Sequence, residues 1–213
     1  MNWNIETGKQ ISMMISILVM VLMIIRYRKI GKEYLFFIIG YILFSCMDIL
    51  SYFYLKVTGP PTDKFYVIIL FIVFLLYLLY YFRLLYLPQL KKIQLVLLAF
   101  LFINTFVRLF VENDMLKILS FNMLYVNILL LLFSIILFLY QTFNSDKILE
   151  LKSYLPFWIS VALLIFFIGF IPILFFRNTV SENIYFIILF MLNLISNGIL
   201  ILGLLWNKQE GTR

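Results

Sequence analysis

Hydrophobic residues form seven long runs along the chain, and short polar or glycine- and proline-containing segments separate them. Each run comes close to the roughly 20 apolar residues that a transmembrane helix needs. A membrane β-strand would alternate polar and apolar residues, whereas these runs are apolar on every side. The pattern therefore predicts an all-α membrane protein, a single domain over residues 1–213 built as a bundle of seven transmembrane helices. The predicted spans lie near residues 11–27, 34–55, 65–87, 93–111, 115–143, 154–176 and 184–206.

Basic residues are unevenly divided between the two sides of this bundle. With the N-terminus outside, eleven of the 17 lysines and arginines fall on the cytoplasmic side. These are Arg26, Arg28, Lys29, Lys32, Arg83, Lys91, Lys92, Lys147, Lys152, Lys208 and Arg213. Because an excess of Lys and Arg marks cytoplasmic loops, we expect an external N-terminus and a cytoplasmic C-terminus.

Composition narrows the class of protein. Hydrophobic residues make up 65% of the chain and charged residues 13%, which excludes a soluble fold because the polar shell would be missing. The net charge of +7 is accounted for by the cytoplasmic side, so no basic surface for nucleic acid is expected. Scarce Ala beside abundant Ile, Phe, Lys and Asn indicates an AT-rich bacterial genome. We expect a multi-pass protein of the bacterial inner membrane, the plasma membrane, with the lipid bilayer as its first partner.

The residue types present exclude much of enzyme chemistry. The chain has no His and one Cys, Cys46, so histidine bases, haem-ligating histidines and multi-cysteine metal sites are excluded. Span seven has no Lys that could carry a retinal Schiff base. No nucleophile motif, phosphate-binding loop or pair of carboxylates at working spacing occurs. We therefore expect a protein that is not an enzyme and holds no metal or cofactor.

Polar residues within the predicted spans lie mostly on the outer side of the span midpoints, and five of them are candidate site residues. They are Asp48, Asn104, Arg108, Asn127 and Asn193. A charged or amide group in hydrocarbon is costly, so such residues usually face a cavity or another helix. We expect all five to line one ligand-binding cavity open to the outside. The alternatives are that Asp48 and the asparagines only join helices, and that Arg108 extends to the outer headgroups.

Two features predict irregular helix geometry. Gly169 and Pro172 lie close together in span six, where Pro removes a backbone hydrogen bond and Gly removes bulk, so we expect a kink or hinge. Span five is longer than a bilayer requires. The residues after it, Ser145 to Lys152, predict a short interfacial helix capped by Ser145.

Two functional hypotheses follow from this pattern. The first is a receptor-like or signalling subunit that senses a small molecule or membrane state from outside and couples to a separate cytoplasmic signalling protein. The alternative is a small-solute transporter or channel with a polar path through Asp48 and the asparagines of spans four, five and seven. A transporter needs polar access from both faces, and the inner half of the spans carries few polar residues. That asymmetry favours the receptor and a small polar ligand.

Overall fold

The computed structural model describes residues 5–58, 63–111, 121–176 and 179–207. Within these ranges the chain is helical apart from short turns, and no strand occurs. The α-helices are α1 (Ile5–Ile30), α2 (Leu35–Thr58), α3 (Asp63–Leu84), α4 (Pro88–Val111), α5 (Phe121–Phe143), α6 (Leu155–Phe176) and α7 (Glu182–Trp206). Short 3-10 helices occupy Lys32–Tyr34 and Asp146–Glu150. The predicted all-α class is confirmed for this part of the chain.

Six of these α-helices, all except α2, are long and apolar enough to cross a membrane by length and composition. Several side chains of α2 lie outside the described set. The seven helices follow the seven predicted spans, although the first residues predicted for span five, 115–120, lie outside the described ranges. The six apolar helices indicate a multi-pass membrane protein whose outer surface contacts lipid. The count of seven spans and the orientation stay predictions.

The chain divides into two compact units. The central unit is Gly31–Phe138, which contains α2, α3, α4 and most of α5. The terminal unit combines Met1–Ile30 with Leu139–Arg213, and therefore contains α1, α6 and α7. The single domain over residues 1–213 stays a prediction.

Aromatic rings fill the core of the central unit. Phe37 of α2 lies against two tyrosines of α3, with ring centroids 5.7 Å from Tyr77 and 5.5 Å from Tyr80. A Cβ built on Gly40 would lie 2.8 Å from Cε1 of Tyr77, so this glycine lets α2 approach α3. Ring pairs at these separations are stabilising beyond their buried area. Here large aromatic rings pack against a single glycine, whereas many membrane helices pack through small residues on both helices.

The terminal unit is built around α7, which packs against both α1 and α6. Gly203 of α7 lies directly against Trp158 of α6, and a Cβ there would collide with the tryptophan. Seven residues before Gly203 on α7, the Ser196 hydroxyl donates to the Ala162 carbonyl of α6 at 3.1 Å. Close backbone approach and side-chain-to-backbone hydrogen bonds therefore hold α6 and α7 together.

The short helix predicted after α5 is present as a 3-10 helix over Asp146–Glu150, and its place at the membrane interface stays a prediction. The prediction that Ser145 caps it is wrong. Ser145 occupies the N-cap position without a side-chain cap bond, and its hydroxyl donates instead to the Thr142 carbonyl at 2.8 Å. The last turn of an α-helix leaves carbonyls without an intrahelical partner, and the Ser145 hydroxyl bonds to one of these carbonyls.

Candidate functional site

The buried face of α4 carries polar residues, and its exposed face is apolar. Gln94, Leu98, Leu101 and Thr105 are buried and follow a spacing of four, three and four residues, which places them on one face of the helix. Exposed residues of α4 include Phe100, Ile103, Phe106 and Phe110. This arrangement suits a helix whose outer side contacts lipid and whose inner side meets other helices.

The facing helix, α5, carries a matching polar stripe. Asn127 and Ser134 are seven residues apart, so they lie on the same face of α5, and both have no exposed surface. Each is hydrogen-bonded to a residue of α4. The two contacts are described below as the asparagine layer and the glutamine layer.

The asparagine layer joins α4 to α5 through their amides. The Nδ2 of Asn104 donates to Oδ1 of Asn127 at 2.9 Å and to the Met123 carbonyl at 3.2 Å. Asn127 thus acts as an acceptor, and its own Nδ2 has no acceptor among the described residues. A buried donor without a partner costs about 1–3 kcal/mol. The layer holds the two helices together and still has one unused N–H group.

The glutamine layer connects three helices. The Nε2 of Gln94 donates to the Leu78 carbonyl of α3 at 2.9 Å, and its Oε1 accepts from the Ser134 hydroxyl of α5 at 2.9 Å. Gln94 itself has no exposed surface. Both ends of one side-chain amide are therefore used, in contrast to the amide of Asn127.

The chemistry available in the two layers is neutral hydrogen bonding. The amides and the one hydroxyl, that of Ser134, supply donors and acceptors, and neither layer contains a base that would activate this hydroxyl. No group of His, Cys, Asp or Glu that could hold a metal ion occurs among the described residues. Interhelical hydrogen bonds of this kind contribute about 0.6 kcal/mol each on average in a membrane, with a maximum near 1.7 kcal/mol. The layers suit positioning helices and recognising polar groups.

The structure brings two of the five predicted site residues together, namely Asn104 and Asn127. Arg108 lies one turn beyond Asn104 on α4 and is half-buried. The side chain of Asp48 lies outside the described set. Asn193 belongs to α7 of the terminal unit, where its Oδ1 accepts from Nδ2 of Asn197 one turn along the same helix at 2.6 Å. The common cavity stays a prediction.

The predicted hinge residues both lie within α6, which runs without interruption from Leu155 to Phe176. Gly169 lies against Leu192 of α7, and a Cβ on this glycine would collide with that side chain. Pro172 is inside the helix one turn from its end. Packing against α7 therefore gives Gly169 a structural reason for its small size, and the hinge stays a prediction.

Sequence reasoning missed Gln94. Its position beside Lys91 and Lys92 places it at the edge of the predicted span, where a polar residue needs no explanation. The signal that could have found it is the heptad spacing that links Gln94, Leu101 and Arg108 on one face of α4.

Comparisons with models of known families, with curated proteins and with solved structures find no match to this chain. The case for a function therefore depends on the geometry of the two layers.

Proposed function

We propose that this protein is a receptor-like signalling subunit of the membrane, in which displacement of α4 carries the signal. The observation that supports this is the pair of interhelical polar layers, Asn104 with Asn127 and Gln94 with Ser134. α4 packs against α3, and these bonds are its hydrogen-bonded connections to α5, so they contribute to how the helix is positioned. A stimulus that alters them shifts the helix.

The asparagine layer is the part that responds to the stimulus. The Asn127 N–H lacks an acceptor among the described residues. An arrangement that supplied an acceptor would therefore have a lower free energy than the present one. A polar ligand carrying a hydrogen-bond acceptor supplies it and favours the arrangement to which it binds more tightly.

The short connection between α3 and α4 lets a change at the asparagine layer move the first turn of α4. Only residues 85–87 separate the two helices, and the Lys91 amide donates to the Leu87 carbonyl at 3.0 Å across the start of α4. A short connection of this kind acts as a pivot. In the predicted orientation it faces the cytoplasm, where the exposed Lys92 side chain can contact a signalling partner.

The transporter alternative requires polar atoms that a passing solute can contact. In the two layers most donors and acceptors are already bonded to each other, which favours a signalling role. The two functions also differ in what the asparagine layer should control. In a signalling subunit it controls contact with a cytoplasmic protein, and in a transporter or channel it controls the flux of solute.

The test combines a contact assay and a flux assay. A photocrosslinking amino acid at position 92 would capture a cytoplasmic partner in cells, with N104L/N127L as the test variant and Thr105→Val as its control. Thr105 is the matched control because its hydroxyl donates only within α4, to Leu101 at 2.9 Å. We expect the crosslink to change in the double variant and to persist in the control. Flux of K⁺ or protons through reconstituted liposomes that is lost in the double variant would instead establish a channel.

A further inference from the structure

An aromatic and basic cluster lies where the connection after α5 meets the ends of α6 and α7, all within the terminal unit. We define this interfacial cluster as Lys147, Lys152, Tyr154, Trp158 and Trp206. The connection joins two candidate spans, so the cluster lies at a membrane surface whichever way the protein is oriented. Trp and Tyr concentrate at this level of a bilayer.

The two lysines of the cluster are held over aromatic rings. The Nζ of Lys147 lies 4.7 Å from the ring centroid of Tyr154 and 3.2 Å from its hydroxyl. The Nζ of Lys152 lies 5.3 Å from the ring centroid of Trp206. Cation–π contacts at these distances restrict the ammonium groups while leaving their N–H donors open on one side.

The aromatic part of the cluster is itself fixed. The rings of Trp158 and Trp206 meet edge to face with centroids 5.0 Å apart. The indole N–H of Trp158 donates to the Lys152 carbonyl at 3.1 Å, which ties the connection to α6. Gly203 provides the space that Trp158 occupies against α7. The Trp206 ring that contacts Lys152 is therefore held by its packing against Trp158.

Neither lysine has a carboxylate partner among the described residues. Asp146 and Glu150 are on the same connection, are exposed, and form no ion pair with Lys147 or Lys152. Leu149 between them is 86% exposed, so the connection presents an apolar side chain that can enter lipid at a membrane surface. Two positioned cations beside an exposed leucine match a molecule with an anionic head and an apolar tail.

We propose that the interfacial cluster binds the phosphate of an anionic phospholipid, such as phosphatidylglycerol, with Lys147 and Lys152 as the phosphate ligands. The acyl chains lie along Leu149, and the start of α6 adds the favourable field of a helix N-terminus to the two lysine charges. Basic groups between helices at a membrane surface recognise lipid headgroups in this way. The site would fix the position of α6 and α7 relative to the bilayer surface.

The chain offers its own fluorescent probe for this site. Its three tryptophans are Trp3, Trp158 and Trp206, so a Trp3→Phe background leaves only the cluster fluorescent. The full-length protein is reconstituted in that background with phosphatidylglycerol or phosphatidylcholine bearing brominated chains, which quench tryptophan on contact. We expect an association constant for phosphatidylglycerol about fivefold greater than for phosphatidylcholine.

Substitution of the lysines distinguishes a built site from general surface charge. K147Q/K152Q should lower the ratio of the association constants for phosphatidylglycerol and phosphatidylcholine to about one. K147R/K152R should retain the higher ratio, because Arg keeps the charge and the ring contacts. The matched control is K91Q/K92Q, which removes the same charge from the same predicted side in the central unit. An unchanged ratio in K147Q/K152Q, or an equal loss in K91Q/K92Q, would overturn the proposal. Circular dichroism on each variant reports the fold.

A soluble phosphate is the other possible source of the same chemistry. Excess inorganic phosphate should leave the quenching by brominated phosphatidylglycerol unchanged, because it gains nothing from Leu149 or the bilayer. Displacement of the lipid by inorganic phosphate would overturn the assignment to a phospholipid.

Discussion

The α6–α7 interface of the terminal unit and the contacts of α4 in the central unit join helices in different ways. In the terminal unit α7 approaches α6 closely at Gly203, and a side-chain hydroxyl bonds to a backbone carbonyl. In the central unit α4 is joined to α3 and α5 through amide side chains such as Gln94 and Asn127. A close steric contact such as Gly203 with Trp158 allows one arrangement of the two helices, whereas amide side chains can exchange hydrogen-bond partners. The α6–α7 interface therefore suits a fixed arrangement, whereas the contacts of α4 suit a change of arrangement.

The largest expected effect tests the steric contact of the terminal unit. Gly203→Ala should destabilise the protein by about 2 kcal/mol, because the new methyl group meets Trp158 in a packed interface. Unfolding by SDS in mixed micelles, followed by circular dichroism, measures the loss. Gly198→Ala is the control on the same helix, because a Cβ there meets nothing within 4 Å. Equal losses in the two variants would show that Gly203 is not the close contact described.

The second effect tests the glutamine layer. Gln94→Leu keeps the approximate volume but removes both hydrogen bonds that connect α3, α4 and α5, so we expect a loss of about 1–2 kcal/mol in the same assay. The exposed Gln89, in the first turn of α4, supplies the control Gln89→Leu, which should change little. If Gln94→Leu is as stable as the wild type, the layer does not hold the three helices together.

A smaller effect separates a bond between helices from one within a helix. Ser134→Ala removes the hydroxyl that donates to Gln94, at an expected cost of about 0.6 kcal/mol. Thr105→Val removes a hydroxyl that donates within α4 and should cost close to nothing. The unfolding free energies of the two variants should therefore differ. A larger loss for Thr105→Val would reverse the interpretation.

The smallest change in unfolding free energy is expected for Asn127, whose side-chain amide accepts one hydrogen bond and donates none among the described residues. Asn127→Leu removes the bond from Asn104 but also removes the N–H that has no acceptor, so the two contributions largely offset each other. We expect a change in unfolding free energy well below that of Gln94→Leu. A loss as large as that of Gln94→Leu would mean that the Asn127 N–H is satisfied in the membrane.

The sequence predicts the helices well because each apolar run is long and the breaks between runs are polar. It predicts less about which polar groups meet. Asn104 and Asn127 share the outer half of their spans, and this depth argument correctly suggests proximity. Depth alone does not show which helices are neighbours or which way a side chain points. Asn193 shares the same depth but belongs to the terminal unit, where it pairs with Asn197 of its own helix. Gln94 was missed because a residue near lysines looks like part of the surface.

The polar layers also constrain how α4 and α5 enter the membrane during synthesis. The two helices are consecutive, and each presents amide groups that lipid cannot satisfy. The Asn104–Asn127 bond satisfies part of that demand as soon as both helices are present. We therefore expect α4 and α5 to enter the bilayer together as one helical hairpin.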